Sequence, residues 1–223
     1  MANLKQKINS SRTYPTRVEV SALRDNGRSE VERFIHHSFL QAYGADVHQF
    51  MPELMSLRSD AGLLMGALGL RRASDDVLFL EQYLERPVEQ LLAAQINRPV
   101  DRDGIVEVGN LAVSGAGGGR WLITALTAYL YASHKKWVVF TAGPVLCNAF
   151  SRMGLDLIEL GDADPSRLEL EEQQAWGSYY DQRPKVMAGL VKPGYRILQQ
   201  RLTSQSILGQ LWFHAGQVGR AAA

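Results

Sequence analysis

The sequence predicts a single α/β domain in which at least two strands run parallel. Three observations carry this. Ile105–Val113 reads as a strand, a glycine run over 115–119 follows as a tight loop, and 120–133 reads as a helix with Trp121, Leu122, Ala125, Leu126, Tyr129 and Leu130 on one broad apolar face. Trp137–Ala142 is an unbroken apolar run, as expected of a strand covered on both sides. Strand, helix and strand in that order require a crossover connection, and the two strands are then parallel. A chain of 223 residues is long enough for one full hydrophobic core, and 46% apolar with 21% charged residues is ordinary for a globular domain.

The remaining elements are placed around that unit. Residues 1–15 are polar and read as a flexible leader, 16–203 as the domain, and 204–223 as a C-terminal amphipathic helix or tail. Ser29 and Glu32 have the spacing of a capping box, and Val31, Phe34, Ile35, Phe39 and Ala42 then share a helical face that Gly44 ends. Short strands are expected near 53–57 and 63–70, the second with Gly66 and Gly69 as marks of a bulge or close backbone approach. Pro87 opens a helix reaching about 95, with Val88, Leu91 and Leu92 inward. Pro144 suits the first turn of another helix, which Gly154 ends. A strand over 155–160, an Asp164-Pro165 helix start and a late strand over 186–191 complete the domain. In the tail, Ile207, Leu208, Leu211, Trp212 and Phe213 fit a helix docked on the protein itself, on a second copy or on a membrane surface.

Composition excludes several classes. A net charge of +1 gives no field for general nucleic-acid binding. Cys147 stands alone, which rules out an internal disulfide framework, and its apolar flanks suit packing better than nucleophilic chemistry. The leader lacks the apolar centre of a secretory signal, and no stretch nears the roughly 18 apolar residues of a membrane span, so a cytoplasmic location is expected. His36 and His37 are adjacent on a helix and point apart, and no His-x₃-His or Cys-rich spacing occurs, so no metal is expected.

The chemistry centres on Glu107-Val108-Gly109-Asn110-Leu111-Ala112-Val113 followed by Ser114-Gly115-Ala116-Gly117-Gly118-Gly119-Arg120. This is a strand feeding a glycine loop at a helix N-terminus. The first helical turn offers unpaired N–H groups and a partial positive charge, and glycines let an anion approach, so the loop suits a phosphate or pyrophosphate. No P-loop lysine is present, and no acidic residue about 20 positions on supports a dinucleotide fold.

The segment resembles the corresponding motif of the N-acetyltransferase superfamily, in which the loop receives the pyrophosphate of coenzyme A. The order of Glu107 and the small apolar strand end also resembles acyl-homoserine-lactone synthases. The runs Glu107 to Ala112, Trp137-Val138-Val139-Phe140-Thr141-Ala142, Asn148-Ala149-Phe150, Ala163-Asp164-Pro165 and Trp176-Gly177-Ser178-Tyr179-Tyr180 resemble the thermostable hemolysin family over roughly 63–190. The resemblance implies a GNAT-like acyltransferase fold, with a mixed, mostly antiparallel sheet, splayed central strands and flanking helices. It implies a coenzyme A thioester, acetyl or longer, as donor and a small-molecule amine as acceptor. Acyl carrier protein is the alternative donor, and a homodimer is compatible with it. It places the donor on Leu111, Ala112, Val113, Gly117, Gly118, Gly119, Arg120 and Asn148.

Within that frame Glu107 is the candidate general base, because an attacking amine must be neutral; the plain alternative is a solvated strand-end charge or a partner for Arg120. Strand alternation puts Asn110 on the opposite face from Glu107 unless a bulge intervenes, which Gly109 favours; Asn110 then holds the bulge, contacts the acceptor, or is simply a buried hydrogen-bonded residue. Two positions depart from the superfamily pattern. Ser114 stands where a basic or amide side chain usually opens the loop, and Ala149-Phe150 stands where a Phe-Tyr pair supplies the acid for the leaving thiolate. Arg71-Arg72 read as a solvated basic turn or as a contact for an acidic carrier or an acceptor carboxylate. Residues 176–180 read as an aromatic packing cluster or an acceptor wall. A bilayer-damaging protein and a non-catalytic binding module are the rivals from other classes.

Overall fold

The computed structural model describes residues 13–115, 117–202 and 206–223. Seven strands among them form one sheet: β1 (Arg17–Ser21), β2 (Glu53–Arg58), β3 (Leu64–Arg72), β4 (Ile105–Val113), β5 (Trp137–Ala142), β6 (Ile158–Asp162) and β7 (Lys185–Leu190). Their order is β1-β2-β3-β4-β5-β7-β6. Only β4 and β5 pair in parallel, and every other pair is antiparallel, as the crossover reading requires. The helices are α1 (Arg28–Tyr43), α2 (Val88–Ile96), α3 (Gly118–Ala132), α4 (Pro144–Arg152), α5 (Leu170–Ala175), α6 (Val191–Arg201) and α7 (Ile207–Ala221).

Two layers of side chains sandwich the sheet. On one face Val106 and Val108 pack with Leu122, Leu126 and Tyr129 of α3, Phe150 of α4, Leu198 of α6 and Leu211 and Ala215 of α7. The C-terminal helix is therefore docked on its own domain. On the other face Ile105 and Val139 meet Leu78, Leu80 and Leu92, while α1 buries Val31, Ile35 and Phe39 against Leu54 and Ala112. Pro15 is buried and the Tyr14 ring lies 5.7 Å from that of Trp121, so the chain is already packed before β1 begins. Residues 1–12 of the expected leader and 203–205 of the expected tail junction lie outside the described residues.

Several expected boundaries move. The capping box does not form: α1 starts at Arg28 from a left-handed Gly27 with no side-chain cap. Glu32 instead accepts from Arg28 Nε at 2.8 Å, and Arg28, 4% exposed, also donates to the carbonyls of Ser21, Met51 and Pro52. A buried guanidinium is tolerated only with its donors filled, so Arg28 fixes the helix start in place of Ser29. The strand expected over 155–160 forms at Ile158–Asp162, because Leu155 is taken into the core beneath Gly154. Val191 opens α6 and does not end β7.

The feature that positions the site lies in β4. Its pairing with β5 runs from Ile105↔Trp137 to Val108↔Phe140 and stops. Beyond that rung β4 continues to Val113 on β3 alone, and β5 continues to Ala142 on β7 alone. The two strands have parted. On the β3 side the register steps from Ala67↔Ala112 to Gly69↔Gly109, two residues against three, so β4 carries a bulge. Asn110 sits in it at φ 50°, a left-handed conformation that asparagine adopts more readily than most residues. Its Oδ1 accepts from the Met51 amide at 3.0 Å and its Nδ2 donates to the Gln49 carbonyl at 3.2 Å. The extra residue brings Asn110 to the face that carries Glu107.

Replacing Asn110 by alanine removes both hydrogen bonds and leaves a Cβ-strained backbone, with an expected loss of about 2–4 kcal/mol in urea unfolding. Asn110→Gly relieves the backbone and is expected to lose about 1 kcal/mol less. Equal losses would show that the conformation at 110 is unstrained.

Candidate active site

The parted ends of β4 and β5 leave a slot that opens between two helix N-termini. α3 begins five residues after β4 and α4 two residues after β5. At α3 the cap is Gly117 at φ 85°, with no side-chain cap and no acidic residue in the first turn. No side chain competes for that end of the helix, which suits an anion, although the Gly118 amide makes a long bond of 3.4 Å to the Gly115 carbonyl and the Arg120 amide donates to the Gly117 carbonyl at 3.1 Å. The glycines differ in what they answer to. A Cβ on Gly118 would sit 2.6 Å from Val113 Cβ, so glycine there lets α3 close on β4. A Cβ on Gly119 would meet nothing within 4 Å, so the fold itself does not demand glycine. Arg120 is exposed beside it. Ser114 Oγ donates to the Met65 carbonyl at 2.9 Å and closes the loop on β3. On β4, Ala112 is buried and Leu111 and Val113 are half-buried. Asn148 is exposed on α4.

Glu107 is 2% exposed, so it is not a solvated strand end. Its carboxylate does not pair with Arg120. Oε2 accepts from the Phe79 amide and Oε1 from the Leu80 amide, each at 2.8 Å. Burial pushes its pKa up to about 7, against the pull of those two amides and of Arg71 on β3. Each oxygen keeps a second lone pair, so a group bonded in this way can still take a proton near neutral pH. The 79–83 turn is itself pinned by Glu81, which accepts from Arg102 twice at 2.7 Å and from the Leu78 and Val88 amides. Burial raises the Glu81 carboxyl, but these bonds outweigh it and hold its pKa below the usual value. Arg71 lies within β3, bonded to the Val77 carbonyl, and Arg72 pairs with Glu53 at 3.2 Å, so neither belongs to a solvated turn. The Nε of Arg71 is buried with no hydrogen-bond partner among the described residues.

An aromatic wall closes the same face. Trp176 and Tyr179 lie 5.1 Å apart and pack on Phe39, and Tyr83 and Tyr180 share a hydroxyl contact of 2.5 Å. Tyr179 OH reaches Thr141 Oγ1 at 3.1 Å, one residue beyond the last shared rung of β4 and β5. Burial pushes Tyr179 up to about 12, which keeps it protonated as a donor. Phe150 stacks on Phe140 at 5.0 Å and offers no hydroxyl. Cys147 is half-buried, and burial raises its thiol pKa, which makes it a poor nucleophile.

The sequence profile described as Thermostable hemolysin matches residues 22–195. The chain belongs to that family. No curated protein matches it. Among solved structures, the coenzyme A-dependent acyl-homoserine lactone synthase BjaI, determined with SAM and isopentyl-CoA, aligns at a TM-score of 0.55 and 15% identity over 90% of this chain and 99% of that one. FeeM, an N-acyl amino acid synthase from uncultured soil microbes, aligns at 0.52 and 14% over 83% and 97%. MesI, another coenzyme A-dependent acyl-homoserine lactone synthase, aligns at 0.51 and 16% over 86% and 98%. At these identities the likeness shows a shared fold, the mixed and splayed sheet that the motif implied.

In this hemolysin-family chain β4 carries Glu107 and the Asn110 bulge and leads into the glycine loop, and the fold brings in Tyr179 with Thr141 and the 79–80 amides. Tyr179 falls in the run 176–180 that the sequence offered as an acceptor wall, but its bond to Thr141 and the bonds from the 79 and 80 amides to Glu107 join residues 27 to 38 positions apart, which no local pattern shows. A cavity of about 970 Å³ lies elsewhere, between α3, α6 and α7 around Tyr131, Tyr195 and Trp212, and none of the slot residues lines it. Among the described residues no helix is long and apolar enough to cross a membrane. One group of possible metal ligands does converge, His36 with Asp46 and His48, which the spacing of histidines alone did not reveal.

Because folding raises the Glu107 pKa, the native state holds its proton to higher pH than the unfolded chain. Its contribution is full below about 4.5 and is lost as pH rises to about 7, worth roughly 3 kcal/mol. Urea unfolding across that window is expected to show a smaller decline in Glu107→Gln than in the parent. Identical slopes would mean Glu107 titrates normally.

Proposed function

We propose that the chain is an N-acyltransferase that moves an acyl group from a coenzyme A thioester to a small-molecule amine. The observation that carries this reading is the parting of β4 from β5 next to an uncapped, glycine-rich helix N-terminus. The amides of Gly117, Gly118 and Gly119, with Arg120, hold the pyrophosphate. The edge of Leu111, Ala112 and Val113 left unpaired by β5 pairs with the pantetheine arm, which also meets Asn148, and a bulge amide near Asn110 points at the thioester carbonyl. The acceptor enters under the aromatic wall. Its nitrogen attacks the carbonyl carbon, Glu107 takes the amine proton, the C–N bond forms, and the C–S bond breaks to release a thiolate. Tyr179 supplies the hydrogen bond to that sulfur that Phe150 lacks. The unpartnered Arg71 Nε beside Glu107 suits an acceptor that also carries a carboxylate.

A carrier-protein thioester is the second reading, favoured by Ser114, which leaves the loop without a basic side chain at that position. Acyl-homoserine lactone synthases and N-acyl amino acid synthases share this fold and make the reaction class chemically reasonable.

Calorimetry with coenzyme A is expected to show binding that Gly119→Ala weakens by about tenfold or more. The same variant is expected to unfold at an unchanged or higher midpoint, because alanine is the better helix former. Weakened binding with lost stability would make Gly119 a structural glycine. In thiol-release assays with acetyl-CoA, long-chain acyl-CoA and acyl carrier protein, Glu107→Gln is expected to lower turnover by about 10²–10⁴-fold with donor affinity nearly intact. Unchanged turnover removes Glu107 from the mechanism.

A further inference from the structure

Away from the slot, α1 and the segment after it bring three metal-binding side chains together. His36 comes from the middle of α1, Asp46 and His48 from the stretch that follows Gly44. His48 Nε2 lies 2.9 Å from Asp46 Oδ1, and His36 Nδ1 lies 3.7 Å from the same oxygen. The Val47 carbonyl oxygen is a fourth donor, 3.1 Å from His36 Nδ1. All three side-chain donor atoms fall within 4.8 Å of one another. Four donors around a metal at bond lengths of about 2.0–2.1 Å form a tetrahedron with edges of roughly 3.3 Å. The separations of 2.9, 3.1 and 3.7 Å lie on either side of that value, and the His36 and His48 rings, stacked with centroids 4.9 Å apart, would turn about their side-chain bonds to share one ion.

The arrangement is held from below. Ala45 and Val47 are buried while Asp46 and His48 point outward, an alternation that fixes both ligands on the side where His36 emerges. The Asp46 amide donates to the Ala175 carbonyl at 2.7 Å, and Asn110 grips Gln49 and Met51 further along. Ile35, fully buried beside His36, anchors the helix side. The ligands thus stand on rigid supports, and each side chain is exposed enough for an ion to reach it, His36 at 29%, Asp46 at 65% and His48 at 72%.

We propose that His36, Asp46, His48 and the Val47 carbonyl form a binding site for a divalent transition-metal ion of the Zn²⁺ and Co²⁺ type. Two imidazoles and one carboxylate select such ions over Mg²⁺ or Ca²⁺, which prefer all-oxygen shells. Bound metal ties α1 to the segment that Asn110 clamps, and so stiffens the acceptor side of the slot. The site stands whether or not the chain transfers acyl groups.

The test uses the full chain stripped of metal and titrated with Zn²⁺ in calorimetry and with Co²⁺ in visible absorption. One equivalent is expected to bind, with the absorption bands of a four-coordinate Co²⁺ ion, a rise in melting temperature and slower amide exchange across residues 45–51. His48→Ala and Asp46→Asn are expected to weaken binding about tenfold or more, while His37→Ala, on the neighbouring exposed position, leaves it unchanged. No uptake, or uptake that His48→Ala and Asp46→Asn do not affect, would overturn the proposal. Because His48 and Asp46 are largely exposed, their variants keep the fold, and unchanged far-ultraviolet dichroism checks this.

Discussion

The structure turns on the parting of two parallel strands. β4 and β5 share four rungs and then separate, and everything attributed to the site follows from that separation. A parallel pair that stayed together to its ends would leave no backbone edge for a ligand. The bulge at Asn110 drives the divergence from the β3 side, adding one residue to β4 where β3 adds none. It survives because Asn110, left-handed in its backbone and 9% exposed, has both polar ends of its side chain satisfied by the main chain of 49–51. An irregular backbone is thereby traded for two buried hydrogen bonds and an open slot.

The second constraint is electrostatic. Glu107 is a carboxylate removed from water and given two backbone amides in exchange, and the balance leaves it near neutrality. The amides belong to a 3₁₀ turn that would drift without Glu81, which Arg102 holds; Arg102 is also bonded to Glu89 of α2 at 2.6 Å and to the Ala73 carbonyl. A chain of charge-assisted bonds thus runs from the surface of α2 to the turn that holds Glu107. Removing Arg102 would act on Glu107 through the position of the turn, without touching it.

Much of the core unit was legible in the sequence. The strand over Ile105–Val113, the buried run Trp137–Ala142 and the crossover helix were readable because apolar periodicity and glycine placement are local signals. The bulge was half-readable: Gly109 and Asn110 marked it, but only the pairing with β3 shows which residue is extra. β1 and α6 were missed, since Arg17–Ser21 is five residues with exposed charges and α6 has Pro193 and Gly194 in its first turns, against the usual helix pattern. The Ser29 capping box failed because a buried arginine, which takes Glu32 as its own partner and whose carbonyl partners lie 7 to 24 positions away, outweighed a local motif. Side-chain partners set by the fold, such as Phe79 with Glu107 or Tyr179 with Thr141, have no local signature at all.

A phosphorylated thioester is expected to lie along the backbone that runs from the Asn110 bulge to the start of α3. Amide chemical-shift mapping of the isotope-labelled chain during titration with coenzyme A tests this directly. The largest changes are expected at Leu111–Val113 and at Gly117–Arg120, with smaller ones at Thr141 and Asn148. Shifts confined to the cavity around Tyr131, Tyr195 and Trp212, or no shifts at saturating ligand, would contradict it.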